Sequence, residues 1–244
     1  MALPAESLQS LQQIDLLQGL RAAEQEVVAQ AARRCRVEQE ASFFQQGDPA
    51  VFLYVLLKGR VKLTQLTPEG QEVILRFIAP GEMFGGIAAL GDASYPTTAE
   101  ASKDCLALAW DGQTMTHLME RYPRIALNAL KRLAARLQEV QDRYRELATE
   151  RVERRVARTF LRLIRQAGVK QEGGVLIDLT LSRQDLAEMS GTTLFTVSRL
   201  LSRWEREGLI ESKRKRVLVC RPHALVAIAE DLPANSPPKE PSEP

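Results

Sequence analysis

The chain has 244 residues, 45% of them hydrophobic and 26% charged, the balance of a soluble globular protein long enough for two domains. Its longest apolar run, VFLYVLL at 51–57, is too short to cross a bilayer, and the N-terminus MALPAESLQS has neither the basic nor the apolar region of a secretory signal. A cytoplasmic protein with no membrane partner is therefore expected.

Cys35, Cys105 and Cys220 are widely spaced and form no C-x-x-C pair, so the spacing argues against a metal site of the usual zinc or iron–sulfur kind. The two histidines, His117 and His223, fall in different predicted domains, and there is no G-x-S-x-G motif and no phosphate-binding loop. No catalytic constellation is visible, and the chain is not expected to be an enzyme. The net charge of +2 is unevenly spread. Residues 1–149 hold 16 lysines and arginines against 18 acids, and residues 150–232 hold 16 against 11. A basic C-terminal part suits contact with a polyanion.

In chain order, residues 14–34 carry a broken apolar stripe that predicts a helix. From 37 to 113, short runs rich in Val, Leu, Ile, Phe and Thr alternate with glycines, which predicts a compact antiparallel β domain. Within it, LTPEGQEVILRFI reads as one hairpin. A long helix follows from Gln113 to Thr149, with a break near Pro123. Leu130, Leu133, Leu137, Val140, Tyr144 and Leu147 then recur at alternating steps of three and four. That spacing is the seam of a parallel coiled coil, so these six residues are the expected dimer interface. A helix packed on its own domain is the alternative. Residues 151–167 predict a further helix ended by Gly168, VLIDLTL a short strand, and PANSPPKEPSEP at 233–244 a disordered tail. The division expected is 14–113, 114–149, 150–232 and the tail.

Between 181 and 219 the pattern changes again. Ser182 with Asp185 three residues on forms a capping-box start. Gly191 suits a left-handed turn, and Thr192 or Thr193 caps a second helix reaching Arg206. Two helices joined in this way make a helix–turn–helix, the second being the recognition helix. Val197, Leu200, Leu201 and Trp204 supply its apolar side, which leaves Phe195, Thr196, Ser198, Arg199 and Arg203 outward. Arg199 has the planar fork that pairs with guanine. Thr196 and Ser198 can reach base edges or phosphates, Arg183 and Arg203 suit phosphate contacts, and Gln184, Thr192 and Thr193 complete the expected DNA-binding set on these two helices. GLIESKRKRVLVC reads as a hairpin with Lys213, Arg214, Lys215 and Arg216 at its tip, a wing that lies along a phosphate backbone. Double-stranded DNA is the expected partner.

FFQQGDPAVFLYVLLKGRVKL resembles the G-D-x-A-x-x-x-Y-x-x-x-x-G-x-V signature of cyclic-nucleotide-binding β-rolls, and PGEMFGGIAAL the P-G-x-x-F-G motif that follows it. LSRQDLAEMSGTTLFTVSRLLSRWEREGLI resembles the winged helix–turn–helix of the cyclic-AMP receptor and fumarate–nitrate regulator (CRP/FNR) family. The resemblance runs in order from 14 to 230. It implies an α+β chain made of a β-roll, a long dimerisation helix and a winged helix–turn–helix. It also implies a homodimeric, effector-responsive transcription regulator reading a palindromic operator, with RNA polymerase as a partner. A β-roll regulatory subunit that binds ligand without reading DNA is the alternative function.

Several residues depart from that family's pattern. Gly86 stands where cyclic-AMP binders place a ribose-binding Glu, Tyr95-Pro96 where they place the Arg-Ser pair on the phosphate, and Val140 where they place a hydroxyl for the purine. Without that arginine a cyclic phosphate loses its main charge-assisted contact, so cyclic AMP is not the expected effector. The oxygen-sensing branch needs an N-terminal cysteine cluster that a lone Cys35 does not supply. The expected effector pocket comprises Gly85, Gly86, Ile87, Leu90, Pro96, Thr97, Thr98, Arg136, Val140 and Tyr144. Its apolar character suits an organic effector or haem, with His117 the formal axial ligand. Phe195 stands where the family usually has Glu. It cannot accept a hydrogen bond, but it can press on a thymine methyl; packing against the wing or the first helix is the other reading.

Overall fold

The computed structural model describes residues 11, 14–86, 91, 93–213 and 216–232. It divides into two compact units, Met1–Glu139 and Val140–Pro244.

The first unit opens with a 3-10 turn at Asp15–Leu17 and helix α1 at Ala22–Gln30. The single helix expected over 14–34 is thus interrupted, because Gly19 takes a left-handed φ of +79° between the two pieces and residues from Arg33 onward turn into a strand. Strands β1 (Arg33–Val37), β2 (Ser42–Phe44), β3 (Phe52–Leu66), β4 (Glu72–Ile78), β5 (Met83–Phe84) and β6 (Thr98–Asp111) form one antiparallel sheet ordered β1-β6-β3-β4. β2 pairs with β6, and β5 with β3. The expected hairpin is β3–β4, closed by residues 67–71 with Gly70 at φ +80°.

Alternation along β3 shows why the sheet is buried on both faces. Leu53 and Val55 join Leu108, Trp110, Val28 and the N-terminal leucines in one core. Tyr54 and Leu56 join Phe44, Phe84, Tyr95 and Cys105 in the other. The indole Nε1 of Trp110 donates to the Val28 carbonyl at 2.9 Å, tying α1 to the sheet. Asp111 ends β6 and caps helix α2 (Gly112–Arg121) by accepting from the Thr114 amide. Pro123 then begins helix α3 (Pro123–Thr149), the break being where proline's missing amide costs nothing.

The second unit takes the last turns of α3, then α4 (Val152–Ala167), α5 (Arg183–Ser190), α6 (Leu194–Arg206) and α7 (Pro222–Glu230). Its sheet, ordered β7-β8-β10-β9, comprises β7 (Gly168–Gln171), β8 (Gly174–Ile177), β9 (Ile210–Lys213) and β10 (Arg216–Val219). The strand expected in VLIDLTL stops at Ile177, and Leu179 and Leu181 are buried beyond it. Strand β7 and helix α7 had no counterpart in the sequence reading. Phe160 of α4 meets Trp204 of α6 edge to face at 5.7 Å, both fully buried, and this pair anchors the helical core.

Candidate DNA interface and effector cavity

Helix α5 begins with a complete capping box. Ser182 Oγ accepts from the Asp185 amide at 3.0 Å, and Asp185 Oδ2 accepts from the Ser182 amide at 2.7 Å. Gly191 ends the helix in the left-handed region at φ +63°. Thr193 caps α6, its Oγ1 accepting from the Thr196 amide at 3.2 Å. The buried side of α6 is Val197, Leu200, Leu201 and Trp204. Glu153 of α4 accepts from both Trp204 Nε1 and Arg203.

The outward side chains differ in how free they are. Arg203 is committed to Glu153 and lies 3.9 Å from Glu207. Arg183 faces Glu205 at 4.0 Å, and Gln184 donates to Glu188 at 2.8 Å. Thr193 and Thr196 share a hydroxyl contact at 3.0 Å. Thr192 and Ser198 are half-buried. Arg199 is exposed and has no carboxylate partner among the described residues. Phe195 is 75% exposed and stacks on no ring among the described residues. Leu194 beside it is 47% exposed and was passed over in the sequence, where it reads as one more apolar helix residue. Arg216 is exposed and pairs in register with Lys213. The side chain of Lys213, and Arg214 and Lys215 altogether, lie outside the described residues.

The turn between α5 and α6 is held by two arginines that sequence reasoning missed. Arg143 donates to the Met189 carbonyl at 2.6 Å. Arg155 donates to the carbonyls of Ser190 at 3.0 Å and Gly191 at 2.8 Å. Cationic donors at the C-terminal end of a helix satisfy its orphan carbonyls and complement its dipole.

In the first unit a cavity of about 850 Å³ lies between the β-roll and α3. Gly85, Gly86, Pro96, Thr97 and Arg136 of the expected pocket line it. Three others do not. Val140 and Tyr144 lie past Glu139, the last α3 residue to reach it, and are exposed on α3. Thr98 instead accepts from the Gln46 amide at 3.0 Å. Ile87 and Leu90 lie outside the described residues. Phe44, Met83, Phe84, Tyr95, Met119 and Ala129 supply apolar wall, and Leu130 and Leu133 of the expected seam line it too. Three ion pairs rim it: Arg76 with Glu82 at 3.0 Å, Arg136 with Glu139 at 2.8 Å, and Arg132 with Asp15.

Two contacts shape the inner wall. Tyr95 stacks on Phe44 with centroids 3.7 Å apart, and its hydroxyl donates to the Phe52 carbonyl at 2.8 Å and accepts from the Phe52 amide at 2.9 Å. Burial pushes the Tyr95 phenol up from its ordinary pKa. A Cβ on Gly86 would sit 2.7 Å from Leu53 Cδ1, and Leu53 is fully buried. No histidine or cysteine lines the cavity among the described residues. His117 is exposed on α2 and is not part of the lining, so it is not placed to ligate a haem there. Cys105 is buried with its thiol donating to the Lys103 carbonyl at 3.0 Å, and burial raises its pKa, the state of an inert structural thiol. Among the described residues no group of His, Cys, Asp and Glu is arranged to hold a metal ion.

A β-roll module and a winged helix–turn–helix on one chain define the class of a DNA-binding transcription regulator. Residues 34–122 match the cyclic nucleotide-binding domain family, and residues 154–228 the Crp-like helix-turn-helix domain family. The chain is 31% identical over 195 residues to the cyclic AMP receptor protein of Thermus thermophilus, covering 80% of this chain and 87% of that one. It is 31% identical over 192 residues to the global nitrogen regulator of Synechococcus elongatus, covering 77% and 86%. The solved structure of a CRP-family transcriptional regulator from Thermus thermophilus superposes with a TM-score of 0.68 at 29% identity, covering 82% of this chain and 99% of that one. The chain belongs to the CRP/FNR family of transcription regulators. These relatives are regulators, not enzymes, and among the described residues no helix is long and apolar enough to cross a membrane.

Proposed function

We propose that the chain works as a homodimer joined along α3, reads a palindromic operator through two copies of α6, and takes a small organic effector in the cavity against α3. The observation that carries this reading is the row Leu130, Leu133, Leu137, Val140, Tyr144 and Leu147. Each is between 44% and 75% exposed. Six large apolar side chains in one unbroken helical stripe form a patch of the kind that marks an association surface. Pairing two stripes in parallel gives a twofold dimer, whose recognition helices address half-sites about one helical turn, ~34 Å, apart. RNA polymerase is the partner this reading implies at a promoter, in the cytoplasm.

Cyclic AMP, named for the Thermus relative, is not the effector in this reading. At the position where the resemblance expects a ribose-binding carboxylate, Gly86 faces Leu53 too closely for a side chain. At the phosphate position, Tyr95 supplies a buried ring in place of a cation. A ligand with an apolar body and polar groups able to compete for the rim ion pairs suits the cavity better. Leu130 and Leu133 belong to both the cavity wall and the exposed row. Filling the cavity therefore bears on the packing of α3, and through it on the α3–α4 junction at Glu150 and Arg151. That is a shift of population between DNA-competent and incompetent dimers.

Sedimentation at micromolar concentration tests the dimer, and binding to a selected duplex across a salt series tests the DNA reading. The expected results are a twofold mass and an affinity that falls steeply with salt. A monomer that shifts no duplex in low salt overturns the proposal.

A further inference from the structure

We propose that Phe195 is a methyl reader: it packs against the C5-methyl group of a pyrimidine in the major groove, next to the guanine bound by Arg199. The inference rests on α6 being the helix that enters the groove, and it deepens that reading by assigning what part of the operator is recognised through apolar contact.

Three observations carry it. First, Thr193 is the cap residue, so Phe195 sits in the first turn of α6, and the first turn of the second helix is the part that reaches base edges. Second, its ring is 75% exposed, while the helix already buries Val197, Leu200, Leu201 and Trp204. The ring therefore contributes nothing to the core of its own unit, and an exposed phenyl group gains by leaving water. Third, Phe195 and Arg199 are four residues apart and share a face. Arg199 is exposed and unpaired with any acid among the described residues, so its fork is open for guanine O6 and N7.

The chemistry then selects the ligand. A phenyl ring neither donates nor accepts a conventional hydrogen bond, so of the groups displayed in the major groove it complements the pyrimidine C5-methyl. Residues four apart on a helix are separated by about 6 Å along its axis, and base pairs stack about 3.4 Å apart. The methyl-bearing pyrimidine therefore lies within about two base pairs of the guanine. Thymine and 5-methylcytosine both present this group.

The test begins with selection of a preferred duplex from random sequence, using the full-length protein in low salt. Each thymine of the selected half-site is then replaced in turn by deoxyuridine, which removes only the methyl. Fluorescence anisotropy measures affinity for the wild type and for Phe195→Ala. One symmetric pair of positions is expected to weaken wild-type binding about four-fold per methyl, while Phe195→Ala binds thymine and uracil duplexes equally. At the same position, 5-methylcytosine is expected to bind the wild type more tightly than cytosine, again only when Phe195 is present. A selected site whose affinity is insensitive to every methyl, or a Phe195→Ala protein as sensitive as the wild type, overturns this proposal and leaves the DNA reading standing. A wild type that selects no duplex overturns both. Phe195→Ala removes an exposed ring, so folding is not at risk.

Discussion

Arg143 donates from Nη2 to the carbonyl of Met189 at 2.6 Å. A side chain of the long helix α3 thus holds the end of the first helix of the helix–turn–helix. Arg155 completes the grip, since its three nitrogens donate to the carbonyls of Ser190, Gly191 and Glu150. One guanidinium thereby ties the turn to the residue that joins α3 to α4. Arg155→Ala removes three charge-assisted bonds, each worth about 1.5–3 kcal/mol net where buried and less at this partly exposed site. A net loss of about 2 kcal/mol is expected in denaturant unfolding. Arg155→Lys keeps the charge but not the fork and should recover less than half of that. If the lysine variant matches the wild type, the grip is one of charge alone.

Gly191 has two reasons to be glycine, and they can be separated. Its φ of +63° is left-handed, where a side chain costs about 1–2 kcal/mol. An added Cβ would also lie 2.4 Å from Leu147 Cδ2, the movable end of a side chain. Gly191→Ala is therefore expected to destabilise by about 2 kcal/mol or more. Placing it on a Leu147→Ala background should remove the steric part and leave the backbone part. Additive effects of the two substitutions would show that the contact contributes nothing.

These two positions show what the sequence made legible. The capping box, the left-handed glycine and the apolar side of α6 are local features, written in spacings of three and four residues, and each is found where expected. The alternation of β3 likewise follows from its residues. Arg143 and Arg155 were illegible because their partners are backbone carbonyls some 46 and 35 residues away, and a carbonyl leaves no mark in a sequence. The cavity was legible only in part. Gly85, Gly86, Pro96, Thr97 and Arg136 line it, yet Arg76, Glu82, Asp15 and Arg132 were missed, because charged residues on a strand, beside a turn or along a helix read as solvated surface. Strand β7 is not legible because Gly168 reads in the sequence as a helix stop alone. It ends α4 and also opens a strand paired with β8.

Acid should act on the first unit through Asp111. Its carboxylate accepts from the Thr114 amide at 2.8 Å and the Thr114 hydroxyl at 2.9 Å. The amide bond, then the hydroxyl, hold its pKa below the usual carboxylate value. A depressed folded-state pKa means that the cap's contribution is complete above the unfolded pKa of about 3.9 and is lost as pH falls through the lower folded value. Asp111→Ala should cost about 1 kcal/mol at pH 7, with the deficit narrowing below pH 4. Urea titrations of both proteins at pH 7 and pH 3 measure the gap. An equal gap at both would mean that the charged cap is not what stabilises α2.

Leu137 separates association from ligand binding. It is 57% exposed and absent from the cavity wall, whereas Leu130 and Leu133 belong to it. Leu137→Glu would place two carboxylates against each other in a parallel seam, each unpaired in an apolar contact, a cost of several kcal/mol. The dimer dissociation constant is expected to rise 100-fold or more in sedimentation equilibrium, and affinity for a full palindrome to fall towards that of a single half-site. The monomer's unfolding midpoint should remain near that of the isolated wild-type subunit, because an exposed side chain contributes little to its own fold. An undiminished dimer would move the association surface off this stripe of α3. A monomeric wild type would instead mean that the exposed row serves another partner.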